Sequence, residues 1–161
     1  MNPSSHRDSE PVVPAATSNE MKLTISHDIY ISIAAHCESD LPNEACGLLI
    51  SSRSSLAVER FIPIPNRHPQ PRHSFSFDPM AWTSAIYELD RLGQKVIGYY
   101  HSHPSTPAIP SVYDAAGLPG SGSALMLILS FASPIPEARA YQLTRGAYPD
   151  TILSEINLII D

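Results

Sequence analysis

The chain has 161 residues, 43% of them hydrophobic and 16% charged, ordinary values for one globular domain with a core of its own. Ten Lys and Arg against sixteen Asp and Glu leave a net charge of -6, which argues against a nucleic-acid binder or a protein of acidic membrane surfaces, both of which need a basic face. No apolar run reaches the length of a membrane span, the N-terminus lacks the apolar segment of a secretory signal, and two cysteines make no disulfide framework, so a cytoplasmic setting is expected.

Residues 1–20 are rich in Pro, Ser and charge and read as a disordered tail ahead of a single domain over 21–161. Lys22 to Ile25 predicts a short strand. Ser26 then caps a helix to about Glu38, with Asp28 suiting its first turn and Ile29 and Ile33 on one side. Leu41-Pro42-Asn43 breaks the chain. Ala45 to Ile50 and Leu56 to Ile64 read as two strands, a hairpin across the Ser-rich Ser51 to Ser55. Pro65 to Pro71 is a loop, and Ser74 to Phe77 a short strand. Asp78-Pro79 opens a second helix, with Asp as cap and Pro at the first helical position. Trp82, Ile86 and Leu89 repeat at helical spacing, and the helix should stop near Gly93. Val96 to Ser102 predicts a buried strand, Pro104 to Pro110 a loop with three prolines, and Ser111 the cap of a short helix ending near Gly117. Ala124 to Phe131, Ala138 to Thr144 and Ile152 to Ile160 are the remaining strands. Strands and helices mix without strict alternation, which predicts an α/β (α+β) fold, a mixed sheet flanked by helices.

The informative segment runs from His101 to Asp114. His101 and His103 lie two apart at the end of a strand, so both imidazoles share a face and can meet one ion. Asp114, a helical turn past Ser111, can return a carboxylate to the same point. Two His and one carboxylate are a usual ligand set for catalytic zinc, with a fourth position left for water. Ser111-x-x-Asp114 is also a capping pattern, and Ser111 can do both jobs. Hydrolysis needs a general base as well. Glu44, just before a strand, is the best candidate, although spacing alone does not select it. Cys46, two residues on, reads as a small apolar strand residue rather than a nucleophile, because no His pairs with it in the sequence. Cys37 and Trp82 read as packing residues. His68 and His73 flank a Pro- and Arg-containing loop, which is either solvated or in touch with substrate.

Glu44, His101, His103, Ser111 and Asp114 together resemble the pattern of the JAMM, or MPN-plus, metalloproteases: an early Glu, then His-x-His-x7-Ser-x2-Asp. The segment Asn-Glu-Ala-Cys-Gly-Leu-Leu, the Ile-Pro-Asn at 64–66 and the Phe-Asp before the second helix resemble the short prokaryotic branch, which includes hydrolases of ubiquitin-like sulfur carriers. The resemblance implies a cytidine-deaminase-like mixed sheet. It also implies Zn2+ on His101, His103 and Asp114, Glu44 as base and Ser111 assisting the oxyanion. The implied partner is a ubiquitin-like or sulfur-carrier protein with a Gly-Gly C-terminus. Glycine suits a narrow approach to a metal at the foot of a groove, and cysteine is the first candidate for the group attached to that tail. The chain has little room for the two long insertions with which eukaryotic members grip ubiquitin. Two other readings stand beside this one: a non-catalytic MPN-type interaction module, which would lack zinc ligands, and a RadC-like protein associated with DNA repair, whose His-Asn-His-Pro-Ser has similar spacing. A cytidine deaminase would need a Pro-Cys-x-x-Cys pair, which is absent.

Overall fold

Each helix begins where the sequence supplies a cap. Ser26 Oγ accepts from Ile29 N–H at 3.3 Å and starts α1 (His27–Asp40). Asp78 accepts from Ala81 N–H at 3.2 Å, Pro79 follows, and α2 (Pro79–Leu92) ends at Gly93, whose φ of 68° is the left-handed cap that glycine adopts without strain. The computed structural model describes residues 21–52, 55–111, 113–114, 117–118, 124–145 and 151–161. The expected tail over 1–20 lies outside these, as do residues 112, 115 and 116 of the short helix expected after Ser111. Among the described residues no helix is long and apolar enough to cross a membrane.

The strands are β1 (Lys22–Ile25), β2 (Cys46–Ser51), β3 (Ala57–Val58), β4 (Arg60–Ile64), β5 (Lys95–His103), β6 (Ala124–Ser130), β7 (Glu137–Arg145) and β8 (Thr151–Ile160). They form one mixed sheet in the order β3-β1-β8-β7-β6-β5-β2-β4. β5 and β6 run parallel, as β1 does with β3 and β8; the other pairs are antiparallel. The mixed sheet with two helices matches the expected fold class.

Two sequence expectations are corrected. Leu56 to Ile64 is not one strand: it divides at Glu59, β3 pairing with β1 and only β4 completing the hairpin with β2. The two extremes of the sheet order are therefore separated by a single residue, and the sheet curls until this stretch joins its edges. Ser74 to Phe77 contributes only an isolated bridge between Asn66 and Phe77. The Asn66 side chain takes the polar groups that a strand partner would have used, accepting from Ser76 N–H and donating to Ser74 C=O, each at 3.0 Å.

Side chains alternate across the sheet. Cys46, Leu48 and Ile50 of β2, with Met126 and Ile128 of β6, pack with Ala85 and Leu89 of α2. Leu49, Leu125, Leu127 and Leu129 face the other way, with Ile33 and Cys37 of α1. Tyr100 belongs to the α1 face, where a Cβ on Gly47 would collide with its ring, so β2 carries glycine opposite it. Tyr99 packs on the α2 face, and His101 and His103 share its side of β5.

Candidate metal centre

The end of β5 is tied to the segment that carries Glu44. Ser102 N–H donates to Ala45 C=O at 3.0 Å, and Ser102 Oγ accepts from Ala45 N–H at 2.8 Å. Glu44 is held on both sides of its own peptide: its N–H donates to Pro71 C=O at 2.7 Å, and its C=O accepts from Asn66 Nδ2 at 3.0 Å. A residue distant in sequence is thus fixed beside His101 and His103.

The four candidate groups are all buried: Glu44, His101, His103 and Asp114 are 4%, 0%, 5% and 3% exposed. One potential ligand atom from each lies within 4.8 Å of all the others. His101 Nε2 and His103 Nε2 are 3.2 Å apart, and Asp114 Oδ2 is 3.1 Å from the first and 3.2 Å from the second. Asp114 is aimed by Ser111, whose N–H donates to Oδ2 and whose Oγ donates to Oδ1, both at 2.9 Å.

His103 Nδ1 lies 2.7 Å from Pro107 C=O. A carbonyl only accepts, so Nδ1 carries the proton and Nε2 of the neutral ring faces the cluster with a lone pair. Burial pushes the His101 pKa down, partly opposed by Asp114. In His103 burial also pushes down, but Asp114 and the Pro107 carbonyl outweigh it and the net shift is upward. Burial would raise Asp114, yet the neighbouring imidazoles of His101 and His103, with the Ser111 N–H, hold it well below the carboxylate range. Glu44 is raised to about 7, first by burial and further by Asp114, with His103 opposing.

Three electron-rich atoms converge on one another, and no more than one proton fits between any two. A cation resolves this. Ligand atoms about 2.0 Å from a tetrahedral centre sit about 3.3 Å apart, close to the triangle formed here, and a set of two imidazoles and one carboxylate is chemically right for zinc. Two buried atoms beside the cluster, Glu44 Oε1 and His101 Nδ1, have no hydrogen-bond partner. The residues therefore fit a divalent ion with Glu44 alongside.

All five expected site residues come together. A cavity of about 260 Å³ opens on them, lined by Glu44, His103, Ser111 and Asp114, and by Arg72, His73, Ile109 and Tyr113. Of the two loop histidines, His73 lines the cavity, whereas His68 Nδ1 braces a turn by accepting from Gln70 N–H at 3.0 Å. Cys46 is fully buried, donates to Ile64 C=O at 3.3 Å, and burial drives its thiol pKa upward, which leaves it a packing residue. Cys37 is likewise buried in the α1 core, its thiol pushed up to about 12.

Sequence reasoning missed the supporting residues. Phe75 stacks on His101 with ring centroids 4.5 Å apart. The loop after His103 is pinned at three successive carbonyls: Thr106 accepts from Ser130 Oγ at 2.6 Å, Pro107 from His103, and Ala108 from Tyr141 OH at 2.6 Å. Only Asn66 carried a signal, as the end of Ile-Pro-Asn, and that signal did not say what its amide does.

The family model described as prokaryotic homologues of the JAB domain matches residues 26–144. The chain is similar to a probable TtuB-protein conjugate cleaving protease of Thermus thermophilus, 42% identical over 80 residues. That match spans 50% of this chain and about half, 52%, of the relative. It is also similar to the CysO-cysteine peptidase of Mycobacterium tuberculosis, 30% identical over 126 residues, 78% of this chain and 85% of the relative. A solution structure of a protein from Desulfitobacterium hafniense superposes with a TM-score of 0.73 at 33% identity, covering 88% of this chain and 93% of that one.

Proposed function

The chain belongs to the prokaryotic JAB-domain family, and on that premise we propose that it is a zinc-dependent peptidase or isopeptidase. Its proposed reaction is hydrolysis of the amide that follows the C-terminal Gly-Gly of a ubiquitin-like or sulfur-carrier protein. The observation that carries this reading is the convergence of His101 Nε2, His103 Nε2 and Asp114 Oδ2 to 3.1–3.2 Å of one another, with Glu44 beside them. The names of the Thermus and Mycobacterium relatives support a conjugate or carrier adduct as substrate. A complete ligand set favours an enzyme over a scaffold.

His101, His103 and Asp114 would hold the zinc, which supplies Lewis-acid polarisation of a carbonyl and acidifies water from a pKa of 15.7 to about 7. Glu44, raised to about 7 by burial, is poised to take a proton from the attacking water and hand it to the leaving amine. Ser111 reaches the reacting carbonyl by turning its hydroxyl from Asp114 Oδ1, where it donates at 2.9 Å, toward the oxyanion. Phe75, stacked on His101, and the pinned 104–110 loop, through Pro107 C=O on His103, hold the two imidazoles in place.

The test is mass spectrometry of a carrier–cysteine adduct incubated with zinc-loaded protein, beside a twin whose terminal glycines are replaced by valine. Release of cysteine from the first and not the second is expected. Cleavage of neither, by protein that holds zinc and cuts unrelated peptides, rejects this substrate class; equal cleavage of both rejects the glycine requirement.

A further inference from the structure

Arg72 stands out among the described residues that line the catalytic cavity, where it is the one Lys or Arg. Arg67, Arg91 and Arg139 each pair with a carboxylate, whereas no ion pair engages Arg72 among the described residues. Its position is nevertheless built. Pro71, immediately before it, accepts from Glu44 N–H at 2.7 Å. His73 N–H and Ser74 N–H both donate to Gln70 C=O at 3.1 Å, and Asn66 holds Ser74 C=O at 3.0 Å. An exposed turn is thereby braced against the backbone of the catalytic Glu, and an unspent guanidinium lines the cavity that Glu44 also lines.

We infer that Arg72 forms a subsite for a free carboxylate on the leaving group, so that the enzyme favours release of an amino acid or very short peptide over release of a lysine side chain of a folded protein. This rests on the peptidase reading. The cavity also carries the Glu44 and Asp114 carboxylates, and a bound divalent ion, its ligands and an ionised Glu44 together sum to no net charge. An incoming carboxylate therefore needs a cation of its own, and Arg72 supplies it with paired donors. The volume of about 260 Å³ falls below the roughly 300–1,000 Å³ of sites for drug-sized ligands, which suits a leaving group of one or two residues.

The experiment uses a ubiquitin-like carrier ending in Gly-Gly and extended by alanine, once as the free acid and once as the carboxamide. With zinc-loaded enzyme the acid is cut with a kcat/KM about tenfold higher, as expected of a charge-assisted hydrogen bond at a partly exposed site. In Arg72→Ala that ratio falls toward one, with the change carried mainly by KM, and Arg72→Lys recovers part of it. A ratio near one in the wild type, or one unchanged in Arg72→Ala, overturns the inference and leaves the peptidase reading standing. Failure to cut either adduct removes both.

Discussion

Successive side chains of β5 enter two kinds of polar environment. On the α1 face the groups are matched: Tyr100 OH meets His36 Nδ1 at 2.8 Å, and Ser102 Oγ takes Ala45 N–H at 2.8 Å. On the α2 face they are not fully matched: His101 Nε2, His103 Nε2 and Asp114 Oδ2 crowd to 3.1–3.2 Å of one another, and Glu44 Oε1 and His101 Nδ1 are buried without partners. Tyr100, Ser102, His101 and His103 themselves are all buried. Matched groups hold the fold together; mismatched groups cost free energy, and in a folded protein that cost points to a ligand or a reaction.

The comparison breaks most completely if a metal ligand is removed. His101→Ala, His103→Ala or Asp114→Ala should bind little zinc and lose turnover, since three protein ligands leave none to spare. Wild-type protein should gain about 4 kcal/mol of stability from zinc at a thousandfold excess over its Kd, and these variants almost none. Metal analysis and denaturation with and without chelator check this, and a well-folded wild type that never takes up zinc would sink the mechanism. Next in size, Glu44→Gln should keep zinc and fold while losing about two to four orders of magnitude in kcat. A near-wild-type rate would place the base elsewhere.

The same residue sharpens the contrast in metal-free protein. Glu44 binds its proton more tightly folded, at about 7, than unfolded, near the ordinary carboxylate value. The folded state therefore carries the extra proton between these values, and the stability it contributes is full below about pH 4.5 and lost as pH rises through 7. Glu44→Gln lacks this dependence. Its stability relative to wild type should rise from pH 5 to pH 8, by at most about 3 kcal/mol at about 1.4 kcal/mol per pH unit. Urea unfolding in chelator at the two pH values measures it, and a difference of opposite sign would mean Glu44 is ionised in the apo protein. The smallest effect belongs to the matched face: Tyr100→Phe should cost about 1 kcal/mol and leave zinc content and turnover intact.

Local chemistry made part of this readable in advance. Ser26, Asp78-Pro79 and Gly93 mark helix ends because caps act within a few residues. The His101, His103 and Asp114 cluster was visible because a strand's two-residue period and one turn suffice to gather it. Glu44 needed the resemblance, since nothing within its own segment says that it reaches His103, far along the chain. The division of 56–64 at Glu59 was hidden because both halves have strand composition, and only the curl of the sheet assigns them to opposite edges. Asn66 was seen as a mark and not as a brace, because its hydrogen-bonded partners, at Glu44, His68, Ser74 and Ser76, are set by tertiary structure.

The pinned loop has a consequence for the order of events as the chain folds. Ser130 lies 24 residues beyond Thr106, and Tyr141 33 residues beyond Ala108. Thr106, Pro107 and Ala108 cannot all be held until β6 and β7 have docked, and contacts that close long loops form late. Until then His103 can rotate, and Asp114, a few residues farther on, has no fixed place to meet it. The capacity to hold a metal thus belongs to the last stage of assembly: in stopped-flow refolding, zinc uptake should lag the recovery of secondary structure, and a chain truncated before β7 should make helices and strands yet bind the ion weakly.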